Sequence, residues 1–257
     1  MELNPVQLFF EEYGEGIPVI FIHGFPFDHT IWNPMVPILK DKVRMILPDM
    51  RGFGGSPVPD GVYPMRLMAE DVVFLLNQLK IDRAVLVGHS MGGYVSLAFT
   101  HAYPNRVAGL ALCSSQAAAD SPEKRQGRYQ TAEEITRRGT RVVAEKMVTK
   151  LTNDPELVSQ LEQSILKTQA KGLIGALKGM AERQDALNWL SDISVPTVVI
   201  AGEADALISM ERSQTMVQLL GKGWLVKLPE VGHMPMLEAP QQCADAILQV
   251  IDLVETA

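Results

Sequence analysis

Ser90 lies in a pentapeptide of the kind that exposes a nucleophile. Residues 88–92 read GHSMG and match G-x-S-x-G, in which a sharp turn from a strand into a helix lifts the serine hydroxyl clear of the backbone. Residues 85–87 before the turn are typical of a buried strand, and residues 94–99 after it begin an apolar helix whose amides can stabilise negative charge. The pattern predicts a reactive serine, and a serine that only caps the helix is the alternative interpretation.

His233 is the candidate base, because a serine hydroxyl is a poor nucleophile until a base takes its proton. It follows the last predicted strand on a glycine-flanked loop at 230–235. Active sites of open α/β sheets lie just past the carboxyl ends of such strands. The other histidines are assigned to loops that do not point at Ser90 or to helices: His23, His89, His29 and His101.

Asp205 is the candidate acid, in the loop that follows a strand predicted at 196–201. Its carboxylate would accept the second ring N–H of His233, fix the tautomer of the imidazole and stabilise the imidazolium. Two acids compete with it. Glu203 lies nearer the strand and is expected to face solvent, and Asp120 lies farther from the end of its own strand.

Two backbone amides are candidates for an oxyanion hole. The strand predicted at 17–22 ends in His23-Gly24, after which Phe25 would supply one amide. Met91, the residue after the nucleophile, would supply the second. Each such donor contributes about 3–4 kcal/mol of transition-state stabilisation. An ordinary strand-ending turn is the alternative interpretation of His23-Gly24.

These residues require a sheet to position them, and the apolar runs predict one. Strand-like runs occur at 6–12, 17–22, 43–47, 85–87, 107–112, 196–201 and 224–228. Helical spacing is clearest at 64–80, with a helix interrupted by prolines predicted at 31–39 and an amphipathic helix at 241–254. Alternating strands and helices predict an α/β fold with a mostly parallel sheet and helices on both faces.

The alternation stops between residues 119 and 185. A stretch of roughly 65 residues without a strand-like run is too long for a simple crossover. We therefore expect a helical cap at 119–185, inserted into a core formed by 1–118 and 186–257. Residues 121–150 hold eight Lys or Arg against four Glu. This excess indicates either a basic mouth that attracts a carboxylate-bearing substrate or solvated helices with charged outer faces.

Small and apolar residues of the same segment also allow two interpretations. Gly172, Gly175 and Gly179 could permit lid motion or close helix packing. Seven apolar side chains could line an acyl pocket or belong to the core: Met147, Leu151, Leu166, Leu173, Ile174, Leu177 and Met180.

Composition and charge disfavour several classes of protein. The net charge of −7 over 257 residues argues against nucleic acid or an anionic membrane as a partner. No segment has the ~18 apolar residues of a membrane span, and the first residues lack a signal-peptide pattern, so a cytoplasmic location is expected. Cys113 and Cys243 have no metal-like spacing and are expected to be buried thiols. Nothing in the sequence indicates an oligomeric state.

Five segments carry a resemblance to a known family: HGFPFD, DMRGFGGS, GHSMGG, GEAD and GHMPMLEAP. With the order Ser90, Asp205, His233, the chain resembles the α/β-hydrolase superfamily over nearly its whole length. More narrowly, it resembles small bacterial carboxylesterases, enol-lactonases and cofactor-free haloperoxidase-like perhydrolases. The resemblance implies that Asp28 and Trp32 support the oxyanion loop.

Residues and resemblance together predict a serine hydrolase of small-molecule carboxylic esters or lactones. The reaction would pass through an acyl-enzyme and would require no cofactor and no metal. A perhydrolase, with peroxide in place of water as the acceptor, is a close alternative. A small-ligand-binding signalling protein on the same fold is the alternative from another class, because a fold does not determine a function.

Overall fold

One β-sheet runs through the part of the chain that the computed structural model describes, residues 4–256. Its strands are β1 Phe10–Tyr13, β2 Pro18–Ile22, β3 Arg44–Pro48, β4 Ala84–His89, β5 Val107–Cys113, β6 Thr197–Gly202 and β7 Gly223–Leu228. They lie in the order β1-β3-β2-β4-β5-β6-β7. β1 is antiparallel to β3, and every other neighbouring pair is parallel.

The predicted α/β fold with a mostly parallel sheet is confirmed. Every residue of β4 and of β6 is buried. Because successive side chains of a strand point to opposite faces, burial of all of them means that both faces of the central sheet are covered. Cys113, at the end of β5, and Cys243 are free and buried.

Helices connect and cover the strands. They are α1 Val36–Leu39, α2 Met65–Gln78, α3 Met91–Ala102, α4 Pro122–Arg138, α5 Arg141–Leu151, α6 Pro155–Lys167, α7 Ala170–Ala181, α8 Met210–Leu219, α9 Pro235–Glu238 and α10 Pro240–Glu255. A 3₁₀ helix at His29–Met35 precedes α1. The helix predicted at 31–39 is therefore split, because Pro34 has no amide hydrogen to continue an α-helical ladder. No helix within residues 4–256 is long and apolar enough to cross a bilayer.

Four helices, α4 to α7, lie between β5 and β6, where the sequence predicts only helical structure. We call residues 119–185 the helical insertion. Local signals start its helices: the Ser121 side chain accepts from the amide of Lys124 at the beginning of α4, and Asp154 caps α6 in the same way. A proline follows each cap, at a position where its missing N–H is not needed.

The glycine face of α7 packs against the loop that precedes α2. A Cβ on Gly172 would overlap the carbonyl of Gly52, and a Cβ on Gly179 would overlap the carbonyl of Tyr63. The Tyr63 amide also donates to the Gly175 carbonyl at 3.1 Å. These contacts favour close packing over lid motion as the reason for the glycines.

The first strand is shorter than predicted. The expected strand at 6–12 is wrong over its first residues, and β1 begins only at Phe10. Two amides before β1 donate to side chains instead of a neighbouring strand: Val6 to Asp71 Oδ1 at 2.7 Å and Phe9 to Ser56 Oγ at 2.8 Å. Only the Phe9 carbonyl continues the pairing with the β3 side, by accepting from the Asp49 amide at 2.9 Å. The alternating apolar residues therefore indicate burial and not strand pairing over the first part of this stretch.

Candidate active site

Ser90 occupies the turn between β4 and α3. Its φ of 50° and ψ of −110° place a non-glycine residue in a sparsely populated, strained region. Two hydrogen bonds hold the turn: Ser90 N donates to Cys113 O at 2.9 Å, and Ser115 Oγ donates to Ser90 O at 2.8 Å. The Ser90 side chain makes no capping hydrogen bond to α3. The interpretation of Ser90 as a helix cap is therefore wrong.

The glycines around Ser90 allow main chains to approach closely. A Cβ on Gly88 would lie 2.5 Å from the carbonyl oxygen of Gly92. A Cβ on Gly92 would overlap the carbonyl of Ile22, at the end of β2. Only glycine leaves room for the start of α3 to lie against β2, and this packing sets the direction in which the turn presents Ser90.

His233 and Asp205 form a buried pair. His233 Nδ1 lies 2.8 Å from Asp205 Oδ2, and each side chain is 2% exposed. Burial acts to raise the pKa of Asp205, but attraction to His233 and hydrogen bonds from the ring and from backbone amides outweigh it and lower that pKa. Asp205 is therefore ionised near neutral pH. Nδ1 of His233 donates to it, which leaves Nε2 as the proton acceptor.

Ser90 and His233 line one cavity, of about 340 Å³, together with Phe25. Within residues 4–256 the Ser90 hydroxyl makes no hydrogen bond to His233 or to any other group. Catalytic hydrogen bonds in unliganded sites are often long and tighten when substrate binds. The structure thus brings the predicted serine, histidine and aspartate to one site and forms the histidine–aspartate hydrogen bond.

The two candidate oxyanion-hole residues, Phe25 and Met91, lie respectively in the wall of the cavity and directly after Ser90. Phe25 lines the cavity, and Met91 is the first residue of α3. Neither backbone amide donates a hydrogen bond to an acceptor in the described part of the chain. Both amides are therefore available to an anion, and that of Met91 lies at the positive end of a helix dipole.

Asp28 and Trp32 brace the segment that follows Phe25. Asp28 caps the 3₁₀ helix by accepting from Thr30 N at 3.0 Å. Trp32 is fully buried, and its ring meets that of Phe21 edge to face with centroids 5.3 Å apart. These contacts agree with the supporting role that the resemblance implies.

His89 connects the Ser90 turn to the His233 loop, although sequence reasoning gives it no role. His89 Nε2 lies 2.8 Å from the carbonyl oxygen of His233. Burial, reinforced by repulsion from His233, lowers the pKa of His89 to about 3, so its ring is neutral and donates from Nε2. Its position beside Ser90 in the pentapeptide was the only signal in the sequence.

Glu238 holds the other side of the His233 loop. Three groups donate to its carboxylate at 3.0 Å each: the amides of Gly232 and Met234 and the hydroxyl of Thr152. The His233 amide donates to the carbonyl of Leu151, at the end of α5, at 2.8 Å. The helical insertion therefore helps to fix the loop. The sequence offered one signal, the place of Glu238 in the segment GHMPMLEAP.

The two competing acids lie elsewhere. Glu203 is exposed, as expected. Asp120 is buried but bonded to arginines: Arg128 Nε lies 2.5 Å and Arg183 Nη1 2.9 Å from its Oδ2. Neither acid contacts His233, so Asp205 alone of the three candidates is its partner.

A group of three side chains, Asp28, His29 and Asp49, brings potential metal-ligating atoms within 4.8 Å of one another. Asp49 already accepts from the ring and the amide of His29 and from the amide of Gly55, at 2.7–2.8 Å. The hydrogen bond to Asp49 raises the pKa of His29. Because His29 and Asp49 bond to each other and Asp28 Oδ1 bonds to Thr30, these contacts explain the group as a brace between two loops.

The apolar lining of the cavity includes only part of the predicted set. Met147, Leu177 and Met180 line it. The other four predicted side chains do not: Leu151, Leu166, Leu173 and Ile174. Leu151 and Leu173 are fully buried, as the core interpretation predicts.

Comparison with known proteins identifies the family. Residues 17–240 match the family model described as the alpha/beta hydrolase fold. The chain belongs to this family, and the resemblance found in the sequence is confirmed.

Individual relatives cover nearly the whole chain. A solved thermophilic esterase from Thermogutta terrifontis, with malate bound, is 40% identical with a TM-score of 0.93, over 96% of this chain and 93% of that one. The curated 3-oxoadipate enol-lactonase 2 of Acinetobacter baylyi is 27% identical over 91% of this chain and 88% of the relative. A bromoperoxidase from Bacillus anthracis shares the fold alone, at 20% identity and a TM-score of 0.86 over 97% and 96% of the two chains. The esterase and the enol-lactonase are hydrolases of small molecules.

Proposed function

We propose that the protein is a serine hydrolase that cleaves small-molecule carboxylic esters or lactones. The observation that carries the proposal is the 2.8 Å contact of His233 Nδ1 with Asp205 Oδ2, beside a cavity that also holds Ser90 in its strained turn. An ionised aspartate at Nδ1 orients the imidazole and leaves Nε2 to accept a proton. The esterase and enol-lactonase relatives support the same chemistry.

In the proposed reaction, Ser90 Oγ attacks the substrate carbonyl carbon while His233 Nε2 takes the hydroxyl proton. The amides of Phe25 and Met91 donate to the oxyanion. The imidazolium, stabilised by Asp205, then gives its proton to the leaving alkoxide, which remains tethered to the acyl group when the substrate is a lactone. Water activated by His233 attacks the acyl-enzyme and regenerates Ser90. These steps use only groups of the chain and water.

We also propose that the helical insertion, residues 119–185, acts as a cap over this site. Two contacts support the cap: Leu151 O accepts from His233 N at 2.8 Å, and Thr168 Oγ1 donates to Pro26 O at 3.0 Å, next to Phe25.

The test compares the wild type with Ser90→Ala on p-nitrophenyl esters from acetate to dodecanoate, on γ-lactones and on an acyl-homoserine lactone. Ser191→Ala, at an exposed position, is the matched control. We expect kcat to fall by about 10⁴-fold or more in Ser90→Ala and to stay at the wild-type level in the control.

Three outcomes would count against the proposal. Equal activity of Ser90→Ala and wild type would remove Ser90 as the nucleophile. Peracid formation from acetate and hydrogen peroxide that exceeds every hydrolytic rate would favour a perhydrolase. Tight binding of an ester or lactone without turnover would favour the signalling alternative.

A further inference from the structure

Two helices of the insertion each present one face to the cavity that holds Ser90. On α4 the lining residues are Lys124, Gly127, Arg128 and Thr131, and on α5 they are Val143, Lys146, Met147 and Lys150. Both sets have the spacing i, i+3, i+4, i+7, which places side chains on one side of an α-helix. One face of α4 and one face of α5 therefore form part of the cavity wall. The side chains on these faces can contact a bound substrate.

These two faces are basic. Four of the eight lining residues just named are Lys or Arg, and no Asp or Glu of the described chain lines the cavity. The cavity is also lined by the apolar side chains of Phe25, Leu177, Met180, Leu207 and Ile208. The cavity thus combines cationic and apolar lining residues, with Ser90 and His233 also in its wall.

Two of the four cations already have carboxylate partners. Arg128 Nε lies 2.5 Å from Asp120, and Lys146 Nζ lies 2.7 Å from Glu134. Glu134 lies on α4, so the second pair joins α5 to α4, whereas Asp120 precedes α4 and also pairs with Arg183. The lining cations that have no such close carboxylate partner are the other two, both lysines.

Lys124 and Lys150 are the cations without a close partner. Lys124 Nζ reaches Asp120 only at 4.0 Å, and Asp120 is already shared between Arg128 and Arg183. Burial, together with repulsion by the two arginines, lowers the pKa of Lys124. The Lys150 ammonium makes no ion pair or hydrogen bond within residues 4–256. Both lysines are exposed, so their ammonium groups are free to pair with an anion bound in the cavity.

We propose that the site selects esters or lactones whose acyl part ends in a carboxylate, and that Lys124 and Lys150 bind this carboxylate. The substrate carbonyl would lie at Ser90, a short apolar stem would lie along the wall of Leu177 and Met180, and the anion would face α4 and α5. This inference rests on the proposed function and adds to it the class of substrate.

The test uses two p-nitrophenyl esters of the same chain length, the hexanoate and the mono-ester of adipic acid, which carries the terminal carboxylate. The measured quantity is the ratio of kcat/KM for the adipate mono-ester to that for the hexanoate. The ratio cancels any effect on Ser90, His233 or the shared leaving group. We compare wild type with the double variant Lys124→Met and Lys150→Met.

We expect the wild type to prefer the adipate mono-ester and the double variant to lose about tenfold or more of that ratio, chiefly through a higher KM. The charge-retaining variant Lys124→Arg and Lys150→Arg should keep most of the preference. Added salt should raise KM for the adipate mono-ester and leave that for the hexanoate unchanged, because it screens the attraction.

The control is Lys167→Met with Lys222→Met, which removes the same charge from two exposed positions outside the cavity. A ratio in the cavity variant equal to that in this control would overturn the inference. If Ser90-dependent hydrolysis of the hexanoate persists in that case, the proposed function is retained and only the inference about substrate class fails. If the wild type hydrolyses neither ester, both proposals fail.

Discussion

His89 Nε2 donates to the carbonyl oxygen of His233 at 2.8 Å, so the residue before the candidate nucleophile holds the main chain of the candidate base. The two rings lie with centroids 5.0 Å apart. Because burial keeps His89 neutral, with a pKa lowered to about 3, this link does not change over the pH range in which most hydrolases work. The Ser90 turn and the His233 loop are thereby coupled through one side chain.

Replacing His89 is expected to slow turnover without abolishing it. His89→Ala leaves the His233 carbonyl buried without its donor, at a cost of about 1–3 kcal/mol. We expect kcat for a p-nitrophenyl ester to fall by about 10- to 100-fold, with a smaller change in KM. His89→Gln can place an amide donor near the same carbonyl and should recover most of the loss. Equal losses in both variants would show that packing alone matters, and His101→Ala is the control on an exposed ring.

Asp205→Asn is expected to lower kcat by about 10⁴-fold, because an amide cannot stabilise the imidazolium and favours the wrong tautomer of His233. Steady-state kinetics on one ester measures the effect. Glu203→Gln makes the same chemical change two residues away on an exposed side chain and should keep wild-type activity. A large loss of kcat in Glu203→Gln with a small loss in Asp205→Asn would make Glu203, and not Asp205, the acid that acts with His233.

The lowered pKa of Asp205 also predicts how stability depends on pH. A carboxyl group whose pKa is lower in the folded state stabilises the fold above its unfolded pKa, here its ordinary value of 3.8, and loses this contribution as pH falls through the folded pKa. The difference in free energy of unfolding between wild type and Asp205→Asn should be constant above about pH 5 and shrink below pH 3.8. Urea unfolding across this range measures it, and a difference independent of pH would contradict the ionised assignment.

The candidate triad could be predicted because each member lies next to an element with a strong local signal. Ser90, Asp205 and His233 follow β4, β6 and β7, and the carboxyl ends of parallel strands meet at one edge of a sheet. No knowledge of side-chain contacts was needed to bring these three residues together. The same argument could not assign His89 or Glu238, because their partners are backbone groups of a distant or irregular loop.

The sequence also could not predict which faces of α4 and α5 lie toward Ser90. The basic side chains of residues 121–150 lie on more than one side of α4 and of α5, so periodicity does not distinguish the face toward Ser90 from the face toward solvent. In the structure, four of these eight basic residues line the cavity and four do not. Lys124, Arg128, Lys146 and Lys150 line the cavity, and Arg125, Arg137, Arg138 and Arg141 do not. Tertiary packing, not local sequence, makes that choice.

Glu238→Ala is expected to destabilise the protein and to impair catalysis together. The variant removes the acceptor of two amides that flank His233 and of the Thr152 hydroxyl. We expect a loss of about 2–4 kcal/mol in the free energy of unfolding, because buried donors left without acceptors cost about 1–3 kcal/mol each. Glu238→Gln keeps one oxygen acceptor and should recover part of both losses. Glu255→Ala, at an exposed position of α10, is the control, and denaturant unfolding with kcat on one ester provides both measurements.

Two glycine substitutions in the helical insertion should have opposite signs. Gly172→Ala forces a Cβ into the carbonyl of Gly52, so α7 must shift away from its support, which we expect to cost about 1–3 kcal/mol of unfolding free energy. Gly127→Ala, in α4, meets no atom within 4 Å and should stabilise by about 0.5–1 kcal/mol, because alanine favours a helix interior. Thermal or denaturant unfolding of the two variants measures both. A stabilising Gly172→Ala would mean that α7 is not docked on the Gly52 loop, and the lid interpretation of its glycines would then regain support.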